Sequence, residues 1–185
     1  MRNKSPRGFT MVESAILVVV VLGILATVAL PQLAHKQRDE RIAKLNTARG
    51  AVQSAAALIH GTALARMSQA QAACAGEGFG ANPPLVNAAG NGNLCTENGR
   101  VQVALLYPAP TLAGVVASAG FLAVTGTPTA AHLAHEGYQA AATAQGGLQV
   151  QVSGGTQAAA CAFTYLPPVA LGEPATISAV LTSGC

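Results

Sequence analysis

The sequence predicts an α+β chain: one long N-terminal helix packed on a small antiparallel sheet head. Three observations predict it. Residues 14–34 carry no charge and are rich in Val, Leu and Ile. Behind them, apolar residues recur at close to helical period at Ile42, Leu45, Val52, Ala55 and Ile59. Further on, short runs of strand-forming residues bounded by Gly and Pro replace the helical pattern. A helix that must bury one stripe, followed by strands on short loops, is an α+β arrangement.

The uncharged run has 21 positions, and roughly 20 helical residues span the ~30 Å hydrocarbon core of a bilayer. Arg2, Lys4 and Arg7 precede it, and basic residues before a first apolar span hold the N-terminus in the cytoplasm. The run therefore predicts a membrane span or an export signal. A secretory signal is cut after its core at small residues, and the sequence after Leu30, PQLAHKQRDE, offers no good site.

Glu13 sits at the mouth of this run. A carboxylate in a bilayer is costly and is by default functional, with a partner to be named. An amine is the natural partner. Cleavage between Gly8 and Phe9 creates an ammonium four residues before Glu13. If the chain is cut there and its copies pack side by side, the ammonium of one subunit would neutralise Glu13 of the next. The blander reading puts Glu13 among the headgroups, solvated.

The second half of the helix is predicted from His35 to about Ala73. Lys36, Arg38, Asp39, Glu40, Arg41 and Lys44 form a mixed charge run, which ordinarily marks a solvated face. Pro31 is expected to kink the helix or loosen a turn. Gly50 and Gly61 weaken it by ~1 kcal/mol each relative to Ala. The first half is apolar all round; the second is amphipathic and lays one face on the head.

Residues 74–99 read as loop, full of turn residues. The Gly76-Glu77-Gly78-Phe79-Gly80 run neither follows a strand nor opens a helix, so it is a poor phosphate cradle. Residues 100–107 are expected as one strand ending at Pro108. Residues 111–119 read as a short helix with Thr111 as its cap. Leu148-Gln149-Val150-Gln151-Val152 alternates cleanly, and residues 161–166 and 176–181 are further strand candidates.

The four cysteines are Cys74, Cys95, Cys161 and Cys185. An even number beyond an export segment reads as disulfides formed in an oxidising compartment. Three pairings exist, and the favoured one joins nearest neighbours, Cys74–Cys95 and Cys161–Cys185. No C-x-x-C cluster supports zinc. His132 and His135 stand three apart, with Glu136 next, but have no third ligand nearby; they, His35 and His60 read as surface histidines. No serine has a G-x-S-x-G context. Neither catalysis nor a metal or cofactor is expected.

Charge narrows the partners. Ten Lys and Arg, less the three before Gly8, leave seven against seven Asp and Glu. The net charge of +3 thus belongs to the first residues and does not indicate nucleic acid. Charged residues make up 9% of the chain, against the ~25% usual in soluble proteins. A surface so poor in charge suits packing against copies of itself.

Gly8-Phe9-Thr10-Met11-Val12-Glu13, followed by the apolar helix and Pro31, resembles the class III signal of type IV pilins. That family has a short basic leader, a Gly, a methylated Phe and a Glu at the fifth mature position. Gly8, Phe9 and Glu13 match position for position, although Glu13 to Gly23 is one residue longer than the family's usual spacing, a turn of about 100°. Asp39-Glu40-Arg41-Ile42-Ala43-Lys44-Leu45-Asn46, residues 49–55, residues 100–115 and the ending from Cys161 to Ser183-Gly184-Cys185 are similar to pilins of the mannose-sensitive haemagglutinin (MSHA) pilus.

The resemblance implies a type IV pilin fold. It implies a leader of residues 1–8, a transmembrane and filament-core helix at 9–34, and a head at 35–185 that includes the rest of the long helix. It implies cleavage at Gly8/Phe9, N-methylation of Phe9, and assembly through Phe9, Glu13 and Pro31. The implied partners are other pilin subunits, the prepilin peptidase, an assembly ATPase, a platform protein and a secretin. The implied course is from the inner membrane to an extracellular pilus serving adhesion, surface attachment and biofilm formation. Two alternatives stand beside it: a type II secretion pseudopilin, and a membrane-anchored periplasmic enzyme or binding protein.

Overall fold

The computed structural model describes residues 11–72, 74, 85–97, 99–120, 122 and 126–185, apart from the side chains of 28–34. The chain divides into two compact units, Met1–Asp39 and Glu40–Cys185. One helix, α1 (Met11–Arg66), contributes to both. Its helical assignment runs through Pro31 without a break.

Within the second unit, α1 buries a stripe of Leu45, Ala48, Val52, Ala56, Ile59 and Ala63. Each follows the last by three or four residues, so these side chains share one face. The predicted positions Leu45, Val52, Ala55 and Ile59 are all buried and Ile42 is partly so. The helix ends at Arg66, earlier than the expected Ala73. Beyond it Met67 bridges to Val86, and Ser68, at φ 61°, donates its N–H to the Val86 carbonyl at 2.7 Å. A left-handed residue whose N–H bonds elsewhere stops the helical ladder.

Two antiparallel sheets receive that stripe. The first has order β1 (Gly92–Thr96), β2 (Gly99–Ala104), β3 (Tyr107–Pro108). The second has order β4 (Tyr138–Ala142), β5 (Leu148–Val152), β6 (Ala162–Leu166), β7 (Thr176–Ile177). Leu45, Ala48, Val52 and Ala56 share a core with Val150, Val152, Phe163 and Tyr165 of the second sheet. Ile59 and Ala63 share another with Leu94, Val101 and Val103 of the first. One helix face thus serves both sheets in succession.

Four sequence expectations need correction. Residues 74–99 are not all loop, because β1 lies within them and pairs Thr96 with Gly99. Residues 100–107 are not one strand. Leu105 and Leu106 take φ 50° and 70° and turn the chain back, so that Ala104 pairs with Tyr107. The strand expected over 176–181 is two residues long, followed by an isolated bridge from Leu181 to Ala162. The charge run is not merely solvated. Arg41 Nε donates to the Cys185 main-chain oxygen at 2.8 Å, and Lys44 Nζ donates to the Glu136 carbonyl. Just beyond the run, Arg49 Nε donates to the Ser178 carbonyl at 2.7 Å. Among the described residues those oxygens have no other backbone partner, so these cations tie α1 to segments outside the ladders.

The expected turn of helix after Thr111 is present, as a wider π-turn over Leu112–Val116 that runs into α2 (Ala117–Ala119). Thr111 caps it, its hydroxyl accepting from Gly114 N–H at 3.1 Å. A third short helix, α3 (Ala130–His135), precedes β4.

Candidate functional site

The candidate site is a surface rather than a cleft, and it lies on α1. Glu13 is in the first turn of the helix and is exposed. After it, every described side chain through Thr27 is exposed. Ile16, Val19, Leu22, Ile24 and Leu25 are each more than half exposed. A helix apolar on all sides needs lipid or other protein around it. Among the described residues no helix is long and apolar enough to cross a membrane. The predicted span, residues 9–34, extends past the described side chains at both ends.

In the second unit, α1 carries no charge between Arg49 and Arg66. The face turned away from the sheets presents Gly50, Ser54, Ala57, Leu58, Gly61 and Leu64 to the surface. Leu58 is 71% exposed. A Cβ at Gly50 or Gly61 would meet nothing within 4 Å. Four hydroxyls on this helix bond back to it: Thr27 donates to Ile24 O at 2.7 Å, Thr47 to Ala43 O at 3.0 Å, Ser54 to Gly50 O at 3.0 Å and Thr62 to Leu58 O at 2.8 Å. A hydroxyl spent on its own helix asks nothing of water. Apart from the exposed amide of Gln53, the outward face thus makes little polar demand.

No protein-family model, curated protein or solved structure matches this chain. The site therefore rests on its own geometry.

The cysteines are joined as Cys74–Cys95 and Cys161–Cys185, the nearest-neighbour arrangement. The second ties the last residue to the start of β6. Gly8 and Phe9 lie outside the described residues, as does the side chain of Pro31.

His132 serves the fold: its Nδ1 accepts from Thr129 N–H while its own N–H reaches the Thr129 hydroxyl, both at 3.3 Å, closing a reciprocal cap on α3. His135 contacts Glu136 at 3.3 Å. His60 is not a plain surface histidine. It stacks on Tyr107 with ring centres 4.2 Å apart, and its Nδ1 lies 3.3 Å from the Leu106 carbonyl. Among the described residues no group of three His, Cys, Asp or Glu is assembled as a metal would need.

A groove of about 670 Å³ runs beside α1, lined by Leu58, Ile59, Thr62, Arg66, Glu97 and Ser118 among others. Its one sulfur, from Cys95, is held in a disulfide.

Proposed function

We propose that the chain is a type IV prepilin of the MSHA-like kind, whose mature form polymerises through α1 into a surface filament for attachment and biofilm formation. One observation carries the reading. α1 begins with an acid in its first turn, continues as a helix exposed and apolar on all sides, and keeps an uncharged outward face between Arg49 and Arg66. Polymerising subunits need such a surface, since neighbouring copies supply the burial that the single chain lacks. Glu13 and the ammonium of Phe9, freed by cleavage after Gly8, set the register between neighbours. The two disulfides suit a head exposed to an oxidising exterior. The precursor and subunit pool reside in the inner membrane, and the peptidase, ATPase, platform protein and secretin act in turn.

The test is the intact mass and N-terminal fragment spectrum of the protein from its native host. A chain beginning at methylated Phe9, four hydrogens lighter for two disulfides, supports the reading, and filaments sheared from the cell surface separate a pilus from a pseudopilus. A chain beginning at Met1 overturns it. Glu13→Ala is expected to be processed yet to fail in assembly; normal filaments from that variant would sink the neutralisation.

A further inference from the structure

Among the described residues β4 is an edge strand, with β5 on one side and no strand on its other. The phase of its hydrogen bonding is set by two bonds at its ends: Ser153 N–H to Gly137 O and Thr143 N–H to Gly147 O, both 2.9 Å. Residues 137, 139, 141 and 143 thus point their N–H and C=O groups at β5, and alternate residues point theirs outward. Ala140 and Ala142 are such residues. Among the described residues, no hydrogen bond reaches their outward groups.

Exposed edges are normally guarded by charge, proline or a bulge. This one has none. No Lys, Arg, Asp, Glu or His occurs from Gly137 through Gly172, a stretch that covers β4, β5 and β6. Gln139, Ala141 and Ala142 are exposed. The register of β4 on β5 is regular from Tyr138↔Val152 to Ala142↔Leu148, without a bulge.

We propose that β4 pairs antiparallel with β4 of a second copy of this chain, about a two-fold axis through Ala141. In that register Ala140 of one copy faces Ala142 of the other, and each pair exchanges two N–H···O bonds, using all four groups that Ala140 and Ala142 hold outward. Only alanines then stand opposite one another at the centre. Their small side chains allow the closer approach of the Ala141 pair, which is not hydrogen-bonded across this interface. Lys44 stands over the ring of Tyr138 at the first residue of β4, but from Gln139 to Ala142 the strand itself offers a charged partner segment no complement, whereas a second copy matches it group for group. The result joins two four-stranded sheets into one of eight strands.

A two-fold contact closes on itself and does not propagate. It is therefore distinct from the filament contact proposed for α1. Between filaments it is a lateral, bundling contact. It stands whether or not the chain is a pilin.

The test uses the full-length protein in detergent micelles, with oligomeric mass measured by light scattering. Ala141→Lys sets two ammoniums face to face on the axis, and Ala141→Glu two carboxylates; each is expected to be monomeric, since like charges directly opposite repel. Mixed, they are expected to restore a dimer. Ala141→Cys is expected to form an inter-chain disulfide under mild oxidation, while Val169→Cys, on an exposed loop, stays uncross-linked. A monomeric parent chain overturns the proposal. So does a dimer that survives Ala141→Lys, as association through the apolar helix would, a mixture that stays monomeric, or equal cross-linking at positions 141 and 169.

Discussion

The hydroxyl of Tyr165 in β6 donates to the carbonyl of Pro108 in β3 at 2.7 Å, a buried bond that links the two sheets. Tyr165 itself is fully buried. Removing the donor leaves the Pro108 oxygen in the core, so Tyr165→Phe should cost about 1–3 kcal/mol, read as a lower denaturant midpoint at unchanged slope. The bond has a pH signature too. Burial first, and then Tyr107 nearby, raise the Tyr165 phenol above its ordinary value. Burial and then Glu136 raise Tyr138 as well. A raised phenol stays protonated in the fold after the unfolded chain has begun to ionise. The stability it contributes is complete below about pH 10, the unfolded value, and is lost as pH climbs above it. Alkaline unfolding should set in above that point and be blunter in Tyr165→Phe.

The turn between β2 and β3 holds two leucines with left-handed backbone, Leu105 at φ 50° and Leu106 at φ 70°. Each such residue costs of order 1 kcal/mol without a glycine or asparagine to accept it. Neighbours hold it in place: Asn91 Oδ1 accepts the Leu105 N–H at 3.0 Å, and the Gly90 carbonyl accepts the Leu106 N–H at 2.8 Å. Leu106 repays its strain by burial in the core, but Leu105 is only partly covered. Leu105→Asn is therefore expected to raise stability by about 0.5–1 kcal/mol, because Asn tolerates this conformation. Asn91→Ala should lower it by about 1 kcal/mol. Thermal melts of the two variants check both signs.

This turn also shows what the sequence leaves unread. Two leucines after Val-Gln-Val-Ala read as more strand, and the carbonyl and amide that reverse them come from residues 90 and 91, far away in the chain. β4 is hidden for another reason: Tyr-Gln-Ala-Ala-Ala favours helix locally, and only pairing with β5 makes it a strand. The stripe on α1 and the alternation of β5 were legible because each side chain's burial follows directly from period. In the candidate site, Glu13 and the apolar run are plain in the sequence. The inward-turned hydroxyls of Ser54 and Thr62, and the outward exposure of Leu58, need the helix to be set against the sheets before they acquire meaning.

The two disulfides should differ in reactivity. Cys161 and Cys185 are both buried, whereas Cys95 is partly open and borders a groove. Mild reductant is expected to open Cys74–Cys95 first, followed by alkylation and peptide mass mapping. Each bridge spans a little over 20 residues, worth about 3.5 kcal/mol in the chain-entropy model. Replacing Cys161 and Cys185 with Ala should cost about that much. It should also free the end of the chain from β6, seen as faster amide exchange after Leu181.

Leu58 separates the fold from the proposed assembly. Its side chain is 71% exposed on the outward face of α1, so Leu58→Glu removes little buried surface. The isolated protein should keep its stability to within about 0.5 kcal/mol, as surface substitutions do. In a filament built on that face, the same carboxylate would be carried into an apolar contact without a partner, at a cost of several kcal/mol. Gly61→Ala gives the complementary reading. Its Cβ meets nothing in the single chain, and the helix gains about 1 kcal/mol from losing a glycine. Melting curves should therefore show Leu58→Glu nearly neutral and Gly61→Ala stabilising, while sheared-filament yield from cells falls sharply for Leu58→Glu. A normal filament yield with Leu58→Glu would mean that this stretch of α1 stays at the surface of the assembled polymer, and the contacts between subunits would then have to come from residues before Arg49.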